Sequence, residues 1–240
     1  MNTNQADKTL GDIYLIYLKA KSALASAHLM RTPSGYFANF NLTFSPAYDL
    51  EILDFIIRNE SPGYNQLSRN SWILYVIEIT KILSKGGSDR FSIQKFYNKL
   101  FNRELANNYD LNCFQPILAL INSNNPDTVL AKLRTLRDKF YAHSDKDFNN
   151  MTDELFPTYL EAWELMDTIE TFIKSMYAQK DSDVDLQVER FLFKYYMEFK
   201  RLYRYYQLSD DFGEIYRLKQ VFGKERFELF KGSKISIGNY

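Results

Sequence analysis

Nine glycines and six prolines are all that punctuate this 240-residue chain. The long stretches between them carry apolar residues at helical spacing, and few turn-formers over periodic segments predict an all-α fold. Hydrophobic content of 45% with 25% charge belongs to a globular protein and excludes a disordered one. The length suffices for one large domain or for one domain with an appendage.

Residues 6–31 read as a first helix, ended before Thr32-Pro-Ser-Gly35. A second periodic segment at 47–60 stops at Ser61-Pro-Gly63. A strongly apolar segment at about 66–85, with Trp72, Ile73, Leu74, Val76, Ile77, Ile79, Ile82 and Leu83, reads as a central buried helix. Lys85-Gly-Gly87 closes it as punctuation, without the flanking pattern of a phosphate loop. Helices at about 91–104 and 114–122 follow. Asn125, Pro126 and Asp127 then read as cap, first position and dipole partner of a helix reaching Ala142 or His143. Thr152-Asp-Glu154 opens a long helix through Leu155, Tyr159, Ala162, Met166, Ile169, Ile173 and Met176.

Several function classes drop out early. Thirty basic residues balance thirty acidic ones, so no global field steers the chain onto nucleic acid; any such contact needs a local patch. One cysteine excludes an internal disulfide, and with two distant histidines it excludes a Cys/His zinc site. Cys113, inside the apolar run 111–121, reads as a small hydrophobe rather than a nucleophile. Asp145, Asp147, Asp153 and Glu154 read as a solvated loop and a helix first turn, not as metal ligands. No metal and no cofactor is expected. The absence of an 18-residue apolar span and of a cleavage-type leader predicts a cytoplasmic protein off the membrane.

Chemistry concentrates in Arg134-Thr-Leu-Arg-Asp-Lys-Phe-Tyr-Ala-His-Ser-Asp145. An imidazole that titrates near neutrality, beside a permanent guanidinium able to hold a phosphate, is a minimal kit for cleaving RNA. Along an α-helix the six residues from Arg137 to His143 mean roughly 9 Å of rise and about 120° of rotation, so the two do not share one face. They flank an apolar stripe of Val129, Leu133, Leu136 and Phe140. Two copies of the helix packed about a two-fold axis, with Phe140 between them, would combine their pairs in one cleft. A plainer alternative leaves His143 on free carbonyls at the helix end and Arg137 stacked on Tyr141.

Arg137-Asp138-Lys-Phe-Tyr-Ala-His143 resembles the signature of the HEPN superfamily of all-α proteins, and the Ala-His-Ser-Asp ending is most similar to HEPN proteins of abortive-infection (Abi) phage defence. The resemblance spans about residues 45–180. It implies a HEPN-like helical bundle over 1–181, with 182–240 as a helical extension packed on it. It implies a metal-independent endoribonuclease, a toxin or phage-defence effector, with Arg137 and His143 as the catalytic pair and Asp138 as their polar companion. RNA, a second copy of the chain and an antitoxin protein are the partners it suggests. HEPN toxins paired with a small nucleotidyltransferase usually carry a tyrosine two residues after the histidine. Asp145 stands there instead, so silencing through that tyrosine is not expected. Arg134 and Tyr141 are the candidate substrate contacts, Tyr141 by stacking on a base. A non-catalytic HEPN-like module that binds RNA or protein is the alternative.

Residues 191–206 hold eight aromatic and four basic residues against one acid. Such a run can stack on single-stranded RNA, or it can be an aromatic helix packed on the core or on an oligomer partner. The helical spacing of Leu192, Tyr195, Tyr196, Phe199, Tyr203 and Tyr206 favours the packed helix.

Overall fold

The computed structural model describes residues 3–40, 54, 57, 62–86, 89–105, 109–141, 155–180, 182, 184 and 201. The expected segment 47–60, apart from Asp54 and Ile57, lies outside the described residues. So does the extension 182–240, including the aromatic run, apart from 182, 184 and 201. Among the described residues all regular structure is helical, and the protein is all-α. The elements are α1 (Thr3–Arg31), α2 (Pro33–Asn39), α3 (Pro62–Ile82), α4 (Ile93–Phe101), a 3-10 turn (Leu111–Phe114) leading into α5 (Gln115–Asn122), α6 (Val129–Thr135), a π-helical segment (Leu136–Tyr141) and α7 (Tyr159–Ala178).

The chain divides into two compact units, Met1–Leu24 with Asn70–Leu186 and Ala25–Arg69 with Gln187–Tyr240. The divisions fall inside α1 and α3.

In the first unit, α1 buries Leu10, Ile13, Tyr17, Ala20 and Leu24, the alternating three-and-four spacing of a packed helix face. α7 answers with Ala162, Met166, Ile169, Ile173 and Met176 on the same spacing. The two run antiparallel. Asp7 pairs with Lys180, Tyr14 meets Tyr177 edge-on at 5.8 Å, and Tyr17 donates to Glu170. α3 contributes Trp72, Tyr75, Val76, Ile79 and Ile82, while Leu74 stays 46% exposed, so this helix is buried on one face rather than all round. Phe96 of α4 packs on Phe114, and Phe114 on Phe172 of α7 at 4.8 Å.

The second unit, as far as it is described, joins the end of α1 to α2 and the start of α3. α1 ends at Arg31, before Thr32-Pro33, as expected, and Pro33 opens a further short helix. It occupies the first turn of α2, where its missing N–H costs nothing. Asp54 accepts from the Ser34 amide at 3.0 Å and from the Ser34 hydroxyl, and buried Tyr36 and Phe37 anchor the helix. His28 is buried here, edge-on to Tyr36 at 5.4 Å, and burial lowers its pKa to about 4. Arg31 donates to Asn65 at 2.9 Å, and Ser68 to the carbonyl of Ala27 at 2.8 Å.

Two other helix starts differ from expectation, for local reasons. Asn125 accepts from the Asp127 amide at 2.9 Å in an Asx turn, so Thr128 becomes the cap of α6 and its hydroxyl accepts from Ala131. Likewise α7 begins at Tyr159, not near Thr152. Pro157 disfavours helix in the residue before it, and Thr158 with Glu161 forms a reciprocal capping box.

Candidate functional site

The motif begins on α6. Leu130, Leu133 and Leu136 are buried and set α6 against α7, whereas Val129 is only half-buried. The expected stripe is therefore shifted by one residue at its start. Its last member falls on the side chain of Phe140, outside the described residues.

At Leu136 the helix widens. Leu136–Tyr141 is π-helical, with i→i+5 hydrogen bonds in place of i→i+4. A wider turn rotates each residue by less than the α-helical value of about 100°. The α-helical angle expected between Arg137 and His143 does not carry across this segment, because the chain follows a different ladder through 138–141, four of the intervening positions. His143 itself, with 142–154, lies outside the described residues.

Three of the five site residues have their heads resolved from one another here. The Nε of Arg137 donates to Oδ1 of Asp138 at 2.6 Å. The Arg137 side chain is 27% exposed and that of Asp138 59%, so the pair sits at the surface with its arginine partly sheltered. Among the described residues the two Nη groups of Arg137 meet no partner, which leaves one edge of the fork able to take a bidentate anion. Arg134 is placed differently. Its Nη atoms donate to the carbonyls of Leu83 and Ile121. Burial lowers its pKa, the positive charge of Arg137 adds to that, and Asp138 opposes it, so the two guanidinium groups lie within electrostatic reach. Tyr141 closes the π segment, half-buried.

The HEPN_AbiU2 profile, described as AbiU2, matches residues 52–179, just over half of the chain. The chain belongs to the AbiU2 family of HEPN proteins. It is thus an abortive-infection HEPN-like protein, and the matched span contains α3 to α7 and the whole Arg137–His143 motif. No curated protein and no solved structure matches it. Among the described residues no helix of this AbiU2 protein is long and apolar enough to cross a membrane.

A second polar cluster was not anticipated. Glu170, midway along α7, accepts from the Tyr17 hydroxyl at 2.6 Å, from Lys21 and from Lys174 at 2.7 Å. Burial alone would raise its pKa, but hydrogen bonds from Lys174, Lys21 and Tyr17 outweigh it and hold the carboxyl at about 2. The spacings Tyr17–Lys21 and Glu170–Lys174 are legible in sequence as i,i+4 pairs; that the two pairs meet is not. Cys113 is half-buried, its thiol against the Asp110 carbonyl and the Met176 sulfur, and burial raises its pKa. This is the setting of an inert thiol.

Proposed function

We propose that this AbiU2 protein is a metal-independent endoribonuclease, a toxin or phage-defence effector acting in the cytoplasm as a homodimer. The observation that carries the proposal is the Arg137–Asp138 pair, whose 2.6 Å contact fixes the guanidinium by its Nε and leaves its outer donors available, six residues ahead of His143. In the reaction the ribose 2′-oxygen attacks the adjacent phosphorus and the bond from phosphorus to the 5′-oxygen breaks. His143 takes the 2′-hydroxyl proton, and a histidine returns a proton to the leaving 5′-oxygen. Arg137 stabilises the charge that builds on the phosphorane oxygens, and Asp138 holds Arg137 in place. Tyr141 stacks on a base. The products are a 2′,3′-cyclic phosphate and a 5′-hydroxyl.

Two copies of the 136–143 segment facing across a two-fold axis would give one cleft with two histidines, one serving as base and the other as acid. An antitoxin covering that cleft would silence the enzyme. The deciding test is RNA cleavage by purified protein in the presence of a chelator, with His143→Ala and Arg137→Ala as controls. Cyclic-phosphate ends made by the parent and not by either variant support the proposal. Equal cleavage by parent and His143→Ala overturns it, and salt-dependent RNA binding without cleavage points to a non-catalytic HEPN module.

A further inference from the structure

Arg134 stands two residues before the π segment, and its head is occupied by two helix ends. Nη2 donates to the carbonyl of Leu83 at 2.6 Å and to that of Ile121 at 3.2 Å, while Nη1 donates to Ile121 at 3.2 Å. Leu83 directly follows α3, and Ile121 lies in the last turn of α5. Carbonyls at helix C-termini have no intrahelical donor, and the negative end of each dipole favours a cation there. One planar fork therefore completes two helices and ties both to α6. Lys85 binds the same pair of ends from a second point, donating to the Ser123 carbonyl at 3.2 Å.

The anchored helices are firm. Val76, Ile79, Ile82 and Leu83 of the α3 side and Ile117 and Ile121 of α5 are buried. The next turn of the motif helix, by contrast, leaves the α-helical ladder. A π segment is a rarely populated choice, so its register needs a fixed frame at its entry. The Arg134 side chain supplies that frame one turn before Arg137.

We propose that Arg134 is a positioning residue: by gripping the C-terminal ends of α3 and α5 it fixes the register of the π segment, and with it the aim of the Arg137–Asp138 pair. This rests on the ribonuclease proposal for its catalytic consequence, but its structural half stands without it. The role differs from a nucleotide contact, since the Nη donors that would meet a phosphate are already on carbonyls. Lysine is a poor substitute, because a single ammonium cannot span both carbonyls with the same planar geometry.

The test uses the full chain with Arg134→Lys and Arg134→Met. Amide hydrogen exchange is read over 136–141 and over 165–176 of α7, and RNA cleavage is split into kcat and KM. Exchange over 136–141 is expected to rise about tenfold with 165–176 unchanged, as befits local opening. The kcat is expected to fall about tenfold to a hundredfold with KM within about twofold, the signature of a misaimed catalytic group. The salt slope of RNA binding stays that of the parent. A slope reduced by about one, with a raised KM, makes Arg134 a phosphate contact and overturns the inference. Unchanged exchange over 136–141 overturns it too, as does equal acceleration in α7, which marks a general staple of the fold. Arg134→Lys, the milder change, keeps the question answerable if Arg134→Met does not fold. A parent protein that cleaves no RNA defeats the ribonuclease proposal alone, since the exchange pattern still decides whether Arg134 holds the π segment.

Discussion

Two polar clusters in the first unit use similar side chains to opposite ends. Around Glu170, one carboxylate is met by Tyr17, Lys21 and Lys174, so its charge is answered on several sides in the seam between α1 and α7. Around Arg137, one guanidinium is met by one carboxylate on one edge, and its Nη groups meet no partner among the described residues. A saturated network contributes rigidity, because each donor and acceptor loses something if the helices part. An unsaturated one has capacity for a ligand. The contrast separates charges that hold the fold from charges that can do chemistry, although both clusters read as i,i+1 to i,i+4 charge pairs in the sequence.

The largest expected effect lies on the open cluster. His143→Ala or Arg137→Ala should lower the rate of RNA cleavage by about 10²–10⁴ with little change in melting temperature, since loss of an acid–base or oxyanion group costs that much. A parallel loss of stability would place these residues with the structural charges and erase the distinction.

Buried His28 extends the contrast to a titrating group that serves the fold. It is 6% exposed, and its folded pKa of about 4 lies below the ordinary 6.5. The unfolded chain therefore binds the proton first. Stability is full above about pH 6.5, declines as pH falls from there to about 4 and then levels, a loss of about 3 kcal/mol. Hydrogen exchange over 25–40 as a function of pH measures it, and His28→Gln should flatten the profile in that window. A flat parent profile would sink this account.

Glu170→Gln removes the charge at the centre of the closed network and keeps its shape. A fully buried pair broken in this way loses about 3–5 kcal/mol; here solvent reaches the Lys174 side, so about 2 kcal/mol is expected in denaturant unfolding at pH 7. Because the folded carboxyl titrates at about 2 and the ordinary value is 4.5, its contribution is complete above about pH 4.5 and is lost as pH falls through 2. Parent and variant should converge over that range, below the window of His28. RNA cleavage per folded molecule should not change, and a change would show that the two clusters are coupled.

The smallest effect tests a helix start. Thr158→Ala removes half of the capping box of α7 and should cost about 1 kcal/mol without altering cleavage.

Much of this was legible in one sequence. The helical period placed α1, α3, α4, α5 and α7, and Arg137-Asp138 with His143 pointed to the HEPN family that residues 52–179 match. Helix starts were less legible where two caps compete. Asn125 and Thr128 both can cap, and the choice fell to Thr128 because Asn125 is engaged in its own Asx turn. The Thr158–Glu161 box after Pro157 is itself readable in the sequence, and it sets the start of α7 later than Thr152.

By itself the sequence determined the all-α class, the members of the buried faces and the motif, because helical period and residue chemistry are local properties of the chain. Only the tertiary structure decided that Arg134 serves helix ends and Arg137 does not. Both are arginines of the same motif, three residues apart, one at the end of α6 and the other in the π segment that continues it. What separates them is which carbonyls other helices bring within hydrogen-bond reach of each, and that depends on the ends of α3 and α5, more than fifty and more than ten residues away in the chain respectively. The π ladder at Leu136 is of the same kind: nothing in Leu-Arg-Asp-Lys-Phe-Tyr dictates it, and it exists where packing and the Arg134 anchor make the wider turn the better fit.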